Sequence, residues 1–195
     1  MTIDIPPFEV QKEMREQDWF DSRNVHDRFK GMDSEVIKSL LKDESSDMVL
    51  CLSNLIRDIN HGSAIRSANS FNVNKVVMTG RRNYDRRGTT GTHKYMDIEH
   101  IEDILEAFKK YRALGYTIVA AEYDTSREQY HLHDFGWPEK SFLVMGEEGR
   151  GLESYILDAV DYIVYAPMYG SVRSLNLASA ASIFMYDYDM KMKRY

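Results

Sequence analysis

The stretch from Tyr162 to Tyr186, YIVYAPMYGSVRSLNLASAASIFMY, decides the fold of this chain. A short apolar run, typical of a β-strand, ends at Ala166-Pro167, because proline fixes φ and donates no backbone hydrogen bond. A loop with Gly170 follows, and a helix then opens on the small residues 178–182. Such a turn presents backbone amides and hydroxyls to a polar small molecule, although an ordinary strand-to-helix connection has the same pattern.

Alternating strands and helices extend this pattern back towards residue 47. The sequence predicts helices over 32–43, 62–71, 100–115, 151–160 and 174–192, and strands over 47–53, 74–80, 116–122, 141–146 and 162–167. Short, nearly continuous apolar strands between helices indicate an α/β fold, with a mostly parallel sheet covered by helices on both faces. Ligands bind such sheets at the carboxyl ends of the strands, where the glycine-rich turns of this chain lie.

The composition excludes several classes of protein. No apolar run approaches the roughly 18 residues that a membrane span needs, and the N-terminus lacks the basic start and apolar core of a secretory signal. The single cysteine, Cys51, sits in an apolar run. We expect a buried thiol there, which excludes disulfide scaffolds and cysteine-based metal clusters. The expected location is therefore the cytoplasm.

Motifs for other chemistries are missing. The sequence has no GxGxxG after the first strand, no GxxxxGK[ST] and no HExxH, so it carries no fingerprint of dinucleotide binding, of a phosphate loop or of a zinc protease. His131 and His133 lie beside Asp134. With no further ligands in view, this group is interpreted as a surface pair and not a metal site.

One local cluster of positive charge stands out against a net charge of −6. Four arginines fall between residues 81 and 87, with a tyrosine among them and a lysine close by. The cluster is Arg81, Arg82, Tyr84, Arg86, Arg87 and Lys94. Basic side chains around an aromatic ring suit contact with phosphate and stacking on a base, although a plain solvated loop has the same composition.

Three segments with polar residues each follow a predicted strand. They are NLIRDINHGSAIRSANSF (54–71), FLVMGEEGRGL (142–152) and the 162–186 stretch. Their order, N-x-G…R, then G-x-E-x-x-G-L, then P-M-x-G-x-V-x-S-L-N, resembles the three motifs of the SpoU/TrmH branch of the SPOUT RNA methyltransferases. The resemblance extends over residues 47–190.

This resemblance implies a fold and a function. Such proteins bind S-adenosylmethionine in a C-terminal trefoil knot, act as homodimers and methylate a ribose 2′-hydroxyl in tRNA or rRNA. Residues 47–195 would form the SPOUT methyltransferase domain, and residues 1–46 an N-terminal arm and helix that would extend the RNA-contacting surface. No metal is expected, because a sulfonium methyl donor already carries the positive charge that drives methyl transfer. No membrane partner is expected, because no apolar run is long enough to span a bilayer.

The resemblance also implies roles for individual residues. The catalytic set would be Asn60, Arg66, Glu148, Ser174 and Asn176. The cofactor would lie against Ala121, Gly146, Ala166, Met168, Ser174 and Leu175, and RNA against Arg81, Arg82, Tyr84, Arg86, Arg87 and Lys94. Structural explanations stay open for single residues: Asn60 would also serve as a helix N-cap, and Arg66 as half of a surface ion pair.

Arg66 is the candidate group at the reacting hydroxyl. A guanidinium can hold an RNA phosphate by a two-pronged contact and can stabilise a developing alkoxide, but it rarely gives up its proton. Asn60 and Asn176 would orient Arg66 or the ribose, Ser174 would bind the cofactor or Arg66, and Glu148 would order its loop. Two alternatives remain: an RNA-binding protein that keeps the fold without activity, and a SPOUT methyltransferase that acts on a base nitrogen.

Overall fold

A parallel seven-stranded sheet forms the centre of the protein in this computed structural model, which describes residues 21–54, 59–147 and 149–192. The strands are β1 (Val49–Asn54), β2 (Lys75–Gly80), β3 (Ile98–Ile101), β4 (Thr117–Ala121), β5 (Tyr130–His131), β6 (Ser141–Met145) and β7 (Tyr162–Tyr165). Their order across the sheet is β3-β2-β1-β6-β4-β7-β5, and these strands pair in parallel. The predicted α/β class with a parallel sheet is confirmed.

Helices cover both faces of this sheet. They are α1 (Ser34–Asp43), α2 (Ile59–Ser70), α3 (Ile104–Ala113), α4 (Ser154–Leu157) and α5 (Leu177–Lys191). Helices α2 and α5 pack on one face, where Leu50 and Leu52 of β1 are buried. Helices α3 and α4 pack on the other face, against Val49 and Cys51. Alternate residues of β1 thus enter opposite cores, which explains why the strand is apolar throughout.

The predicted helix over 100–115 is wrong at its start. Residues 98–101 form the short strand β3, and α3 begins only after Asp103. The carboxylate of Asp103 accepts hydrogen bonds from the backbone N–H groups of Leu105 (2.7 Å) and Glu106 (3.1 Å), so it caps the helix. The sequence IEHI of β3 has no continuous apolar run, because β3 lies at the sheet edge and is only half-buried.

Other predicted bounds also shift. The helix predicted over 151–160 is a single turn, α4, and the last helix begins at Leu177 and not at residue 174. Strand β5, two residues long at the opposite sheet edge, was not predicted. Cys51 is fully buried as expected, and this burial raises the pKa of its thiol. Within the described ranges, no helix is both long and apolar enough to cross a bilayer.

Candidate functional site

A cavity of about 440 Å³ opens at the carboxyl ends of β4, β6 and β7, beside the start of α5. Its lining includes all six residues predicted to contact the cofactor: Ala121, Gly146, Ala166, Met168, Ser174 and Leu175. These residues come from three segments of the chain. The parallel sheet brings them together because the carboxyl ends of neighbouring parallel strands meet at one edge.

The loop after β6 forms one wall of the cavity through residues 146, 147 and 149–152. It folds back on itself, because the backbone N–H of Gly151 donates to the carbonyl of Glu147 at 2.9 Å. A Cβ atom at Gly146 would lie 2.4 Å from the carbonyl carbon of Gly151, so only glycine fits there. The Glu147 side chain is 4% exposed and lines the cavity. Glu148, which was predicted to be the acidic residue of this loop, lies outside the described residues.

Glu122 fastens that loop to the end of β4. Its Oε1 accepts a hydrogen bond from the backbone N–H of Tyr123, and its Oε2 accepts one from the backbone N–H of Leu152, both at 3.0 Å. Gly151 has a φ of +67°, and a Cβ there would lie 2.4 Å from Glu122 Oε2. Sequence reasoning missed Glu122, although a carboxylate directly after an apolar strand was a signal for it.

Charged side chains of both signs line this cavity. Glu122, Asp124 and Glu147 supply carboxylates, and Arg150 and Arg173 supply guanidinium groups. A ligand with both positive and negative groups would therefore find complementary partners around one cavity.

Asn176 stands at the N-terminus of α5 as its cap. Its Oδ1 accepts hydrogen bonds from the backbone N–H groups of Ala178 (3.0 Å) and Ser179 (3.3 Å). The cavity lining includes its neighbours Ser174 and Leu175 but not Asn176 itself. The position therefore has a clear structural role, beside the catalytic one predicted from the sequence.

Helix α2 carries Asn60 and Arg66, and neither residue lines the cavity. Because α2 begins at Ile59, Asn60 is a helical residue and not the N-cap. His61, which sequence reasoning missed, is buried, and its Nε2 lies 2.9 Å from the carbonyl oxygen of Ser53 at the end of β1. A carbonyl only accepts, so Nε2 carries the proton and holds α2 against the strand.

Helix α5 packs against α2 and also borders the cavity. Ala180 and Phe184 line the cavity, whereas the hydroxyl oxygens of Ser182 and Ser67 of α2 lie 2.8 Å apart, within hydrogen-bond distance. The small residues of α5 thus allow close packing within this one chain. Arg66, which is exposed and next to Ser67, is not brought into the cavity lining.

The segment of residues 81–95, here called the arginine loop, docks on the N-terminal part of α2. It contains two turns of 3₁₀ helix, Arg86–Thr89 and Thr92–Tyr95. The backbones of Gly62 and Gly88 touch, since a Cβ on Gly62 would lie 3.0 Å from the Cα of Gly88. Arg66 lies one helical turn after Gly62 on the same side of α2, so it faces the same region as this loop.

The predicted RNA contacts differ in their surroundings. Arg81, Arg82, Arg86 and Lys94 are exposed. Arg87 is exposed too, but its Nη2 lies 2.6 Å from Asp85 Oδ2 in an ion pair. Tyr84 is half-buried against the core, and this burial raises the pKa of its hydroxyl. Its ring thus has less free surface than the sequence prediction assumed.

The histidine pair at 131 and 133 forms part of a short turn. The Nδ1 of His131 accepts a hydrogen bond from the backbone N–H of His133 at 3.2 Å. Within residues 21–54, 59–147 and 149–192, no group of three or more His, Cys, Asp or Glu residues is placed to hold a metal ion.

Comparison with known sequences relates most of the chain to one family. The profile of the SpoU rRNA Methylase family matches residues 47–186. An uncharacterized tRNA/rRNA methyltransferase of Archaeoglobus fulgidus is 31% identical over 156 residues, which are 77% of this chain and 67% of that protein. The tRNA (guanosine(18)-2′-O)-methyltransferase of Aquifex aeolicus is 24% identical over 77% of this chain and 72% of its own length. A TrmH family protein of Staphylococcus saprophyticus is 29% identical, and this chain spans only 63% of its length.

Comparison with solved structures shows a shared fold. The TrmH/SpoU tRNA modifying enzyme of A. aeolicus superposes with a TM-score of 0.72 at 21% identity, over 82% of each chain. The SpoU methyltransferase AviRb of Streptomyces viridochromogenes, crystallised with its cofactor AdoMet, superposes with a TM-score of 0.66 at 23% identity. That match covers 74% of this chain and 57% of AviRb.

Proposed function

Because this chain belongs to the SpoU rRNA methylase family, we propose that it is an S-adenosylmethionine-dependent methyltransferase acting on a ribose 2′-hydroxyl of tRNA or rRNA. The observation that carries the proposal is the convergence of the second and third motif segments, together with the end of β4, on one cavity at the carboxyl ends of β4, β6 and β7. Family membership gives the class of reaction, and the cavity gives a place for the methyl donor.

The cavity suits S-adenosylmethionine in size and charge. Its volume of about 440 Å³ lies within the range of about 300 to 1,000 Å³ that is usual for small-molecule sites. The methyl donor has a sulfonium and an ammonium group, for which Glu122 and Glu147 offer negative partners. The Asp124 carboxylate already pairs with Arg127. The carboxylate of the methyl donor would find Arg150 or Arg173. Gly146 packs its backbone against that of Gly151 and carries no side chain, so it helps to keep the cavity wall compact.

The roles of the catalytic residues follow from their chemistry. S-adenosylmethionine, when bound, supplies an electrophilic methyl group without a metal. Arg66 would hold an RNA phosphate and stabilise the negative charge that develops on the ribose oxygen as its proton leaves to solvent. Asn60 would orient Arg66, and Ser174 would bind the cofactor from the cavity wall. Asn176 would fix the start of α5, and Glu148 would order the loop after β6.

The arginine loop would form the RNA-binding surface together with Arg66. The exposed side chains of Arg81, Arg82, Arg86 and Lys94 support this role, because phosphate contacts position RNA on a protein. Arg87 and Tyr84 belong to the same proposed surface, although Asp85 pairs with Arg87 and the core covers part of Tyr84.

We also propose a homodimer with the SPOUT-type trefoil knot. The outer side of α5 exposes Ile183, Tyr186 and Met190, at 41%, 56% and 41%, and large apolar side chains at this spacing suit a helix interface. The absence of Arg66 from the cavity lining supports a site completed by a second copy. The loops 146–152 and 166–176 meet at one cavity, as a knot would require. The buried thiol of Cys51 suits a reducing cytoplasm.

Three measurements test the proposal. Calorimetry should detect binding of S-adenosylmethionine, and methyl-labelled cofactor should label total RNA. Digestion of that RNA to nucleosides should place the label on ribose. Cofactor binding without methyl transfer would favour an RNA-binding protein that lost activity, and a label on a base would favour a base-nitrogen methyltransferase.

A mixed-dimer experiment tests the shared site. A chain with Arg66→Ala is mixed with a chain in which Gly146→Val disrupts the cavity wall, because a Cβ at Gly146 would lie 2.4 Å from the backbone of Gly151. Each variant is expected to be inactive by itself. Partial recovery of activity in the mixture would mean that Arg66 of one copy serves the cavity of the other. No recovery, with mixed dimers shown by mass spectrometry, would mean that Arg66 and the cavity act within one copy.

A further inference from the structure

We infer that the N-terminal segment, residues 21–44, holds the arginine loop in its RNA-binding conformation, so that Ile37 and Phe29 are positioning residues for RNA. This inference rests on the proposed function. The segment would then support the arginine loop, whereas the sequence analysis expects it to contact RNA directly.

A small apolar core joins the segment to the end of the arginine loop. Phe29, Ile37 and Tyr95 are 7%, 1% and 8% exposed and pack together, with Val25 and Leu41 against them. Tyr95 is the last residue of the second 3₁₀ turn of the loop. This core is separate from the two cores on the sheet faces. Its main effect is therefore to fix the position of Tyr95.

Polar contacts fasten the same junction. The Nζ of Lys38 on α1 lies 2.7 Å from Asp97 Oδ1, directly before β3. This ammonium group lowers the pKa of the Asp97 carboxyl. Near the C-terminal end of α1, Asn72 Nδ2 donates to the carbonyl of Leu41 at 2.9 Å. Helix α1 is thereby tied to the chain on both sides of β2.

Several cations of the segment serve contacts within it. Arg23 pairs with Asp21 and also donates to the carbonyl of Met32 at 2.8 Å. Arg28 pairs with Glu44, with Nη2 and Oε2 2.6 Å apart. Lys30 donates to the backbone carbonyls of Asp21 and Arg23. These cations already contact carboxylate or carbonyl groups within the segment, which fits a supporting role.

The arginine loop is therefore held at two points. Gly88 is locked against the backbone of α2, and Tyr95 is locked against the N-terminal segment. The exposed cations lie before and between these points. A loop that is ordered before RNA arrives loses less conformational entropy on binding, so loosening either point should weaken RNA binding.

The first test compares Ile37→Ala with Leu40→Ala on the same helix, where Leu40 is 40% exposed and outside the small core. Ile37→Ala should raise the KM for RNA about tenfold, because the loosened loop then loses conformational entropy when RNA binds. The kcat and the cofactor affinity should stay unchanged, and Ile37→Val should restore most of the RNA affinity. An equal effect of Leu40→Ala, or a parallel loss of cofactor binding, would show general destabilisation and overturn the inference.

A second variant, Asp97→Asn, leaves the small core intact and distinguishes whether the segment supports the arginine loop or contacts RNA directly. Asp97→Asn removes a negative charge, so simple electrostatics predicts tighter RNA binding. Loss of the tie to Lys38 predicts weaker binding instead. Tighter binding by Asp97→Asn would mean that the segment meets RNA directly and would contradict the inference.

Hydrogen exchange of backbone amides tests the support of the loop independently of the proposed function. The amides of residues 81–95 should exchange faster in Ile37→Ala than in Leu40→Ala, with no RNA or cofactor present. If the unaltered protein fails to methylate RNA, the proposed function falls while this comparison still stands. Equal exchange in the two variants would exclude the support role itself.

Discussion

Gly62 and Gly88 lie backbone against backbone, with no room for a side chain at either position. A Cβ on Gly62 would lie 2.4 Å from the carbonyl oxygen of Asp85, and a Cβ on Gly88 would lie 2.5 Å from that of Ile59. Real Cβ atoms do not approach backbone atoms so closely. The contact joins the helix of the first motif to the arginine loop, so the catalytic candidate Arg66 and the proposed RNA-binding cations share one rigid unit.

Gly88→Ala should separate the arginine loop from α2. Forcing a methyl group into backbone contact typically costs about 1 to 3 kcal/mol, and urea denaturation measures that loss. RNA affinity should fall as well, because the loop shifts. Gly136→Ala is the matched control, since nothing lies within 4 Å of a Cβ at that glycine. Equal stability of the two variants would contradict the close contact.

Arg66→Ala should abolish turnover and leave the affinity for S-adenosylmethionine near normal, because Arg66 does not line the cavity. Loss of one group that stabilises a developing oxyanion lowers kcat by about 10² to 10³. Arg66→Lys keeps the charge but not the two-pronged geometry, so it should recover only part of the rate. Lys109→Ala, at an exposed lysine of α3, is the control. Full activity of Arg66→Ala would remove Arg66 from the mechanism.

The arginines of the loop should contribute unequally to the salt dependence of RNA binding. Removing one phosphate contact lowers the slope of log affinity against log salt by about 0.7 to 0.9. Arg86→Ala should show this change. Arg87→Ala should show less, because Asp85 already holds Arg87 at 2.6 Å. A titration of RNA binding between low and moderate salt would contradict the prediction if both variants changed the slope equally.

Asn176→Ala should destabilise the protein by about 1 kcal/mol, the usual cost of losing a helix N-cap. Asn176→Asp keeps an oxygen for the backbone N–H groups of Ala178 and Ser179, so its stability should match the unaltered protein. Chemical denaturation measures stability, and turnover is followed in parallel. A stable but inactive Asn176→Asp would give the side-chain amide a catalytic part, and a fully stable Asn176→Ala would refute the capping role.

Glu122→Gln should weaken cofactor binding without changing RNA affinity. The two carboxylate oxygens accept from the backbone N–H groups of Tyr123 and Leu152, and glutamine can keep only one of these contacts. A hydrogen bond to a charged group is worth about 1.5 to 3 kcal/mol, so calorimetry should show at least a tenfold loss of affinity. Glu139→Gln, at an exposed position remote from the cavity lining, should bind normally. Normal binding by Glu122→Gln would exclude its role in holding the loop.

The sequence could predict residues that line the cavity, but it predicted the elements around the cavity poorly. Ala121 ends strand β4, whereas Gly146 and Ala166 directly follow β6 and β7. Any parallel sheet places such residues at one edge. The strand β3 and the capping by Asp103 escaped prediction, because a half-buried edge strand has no continuous apolar run. The contacts of Glu122 and His61 were also missed. Glu122 accepts from the backbone N–H of Leu152, which is distant in the sequence, and His61 donates to the backbone carbonyl of Ser53. No local sequence pattern reveals such backbone partners.

The sequence alone determined the family, the α/β class and the residues of the cavity wall, because apolar strands, glycine turns and motif spacing are local properties of the chain. Only the tertiary structure decided which segments touch. It locked Gly62 against Gly88, set Tyr95 into a small core with Ile37, and kept Arg66 away from the cavity lining. These relationships depend on close packing between segments that are distant in the chain, and pattern along the sequence carries no information about such distances.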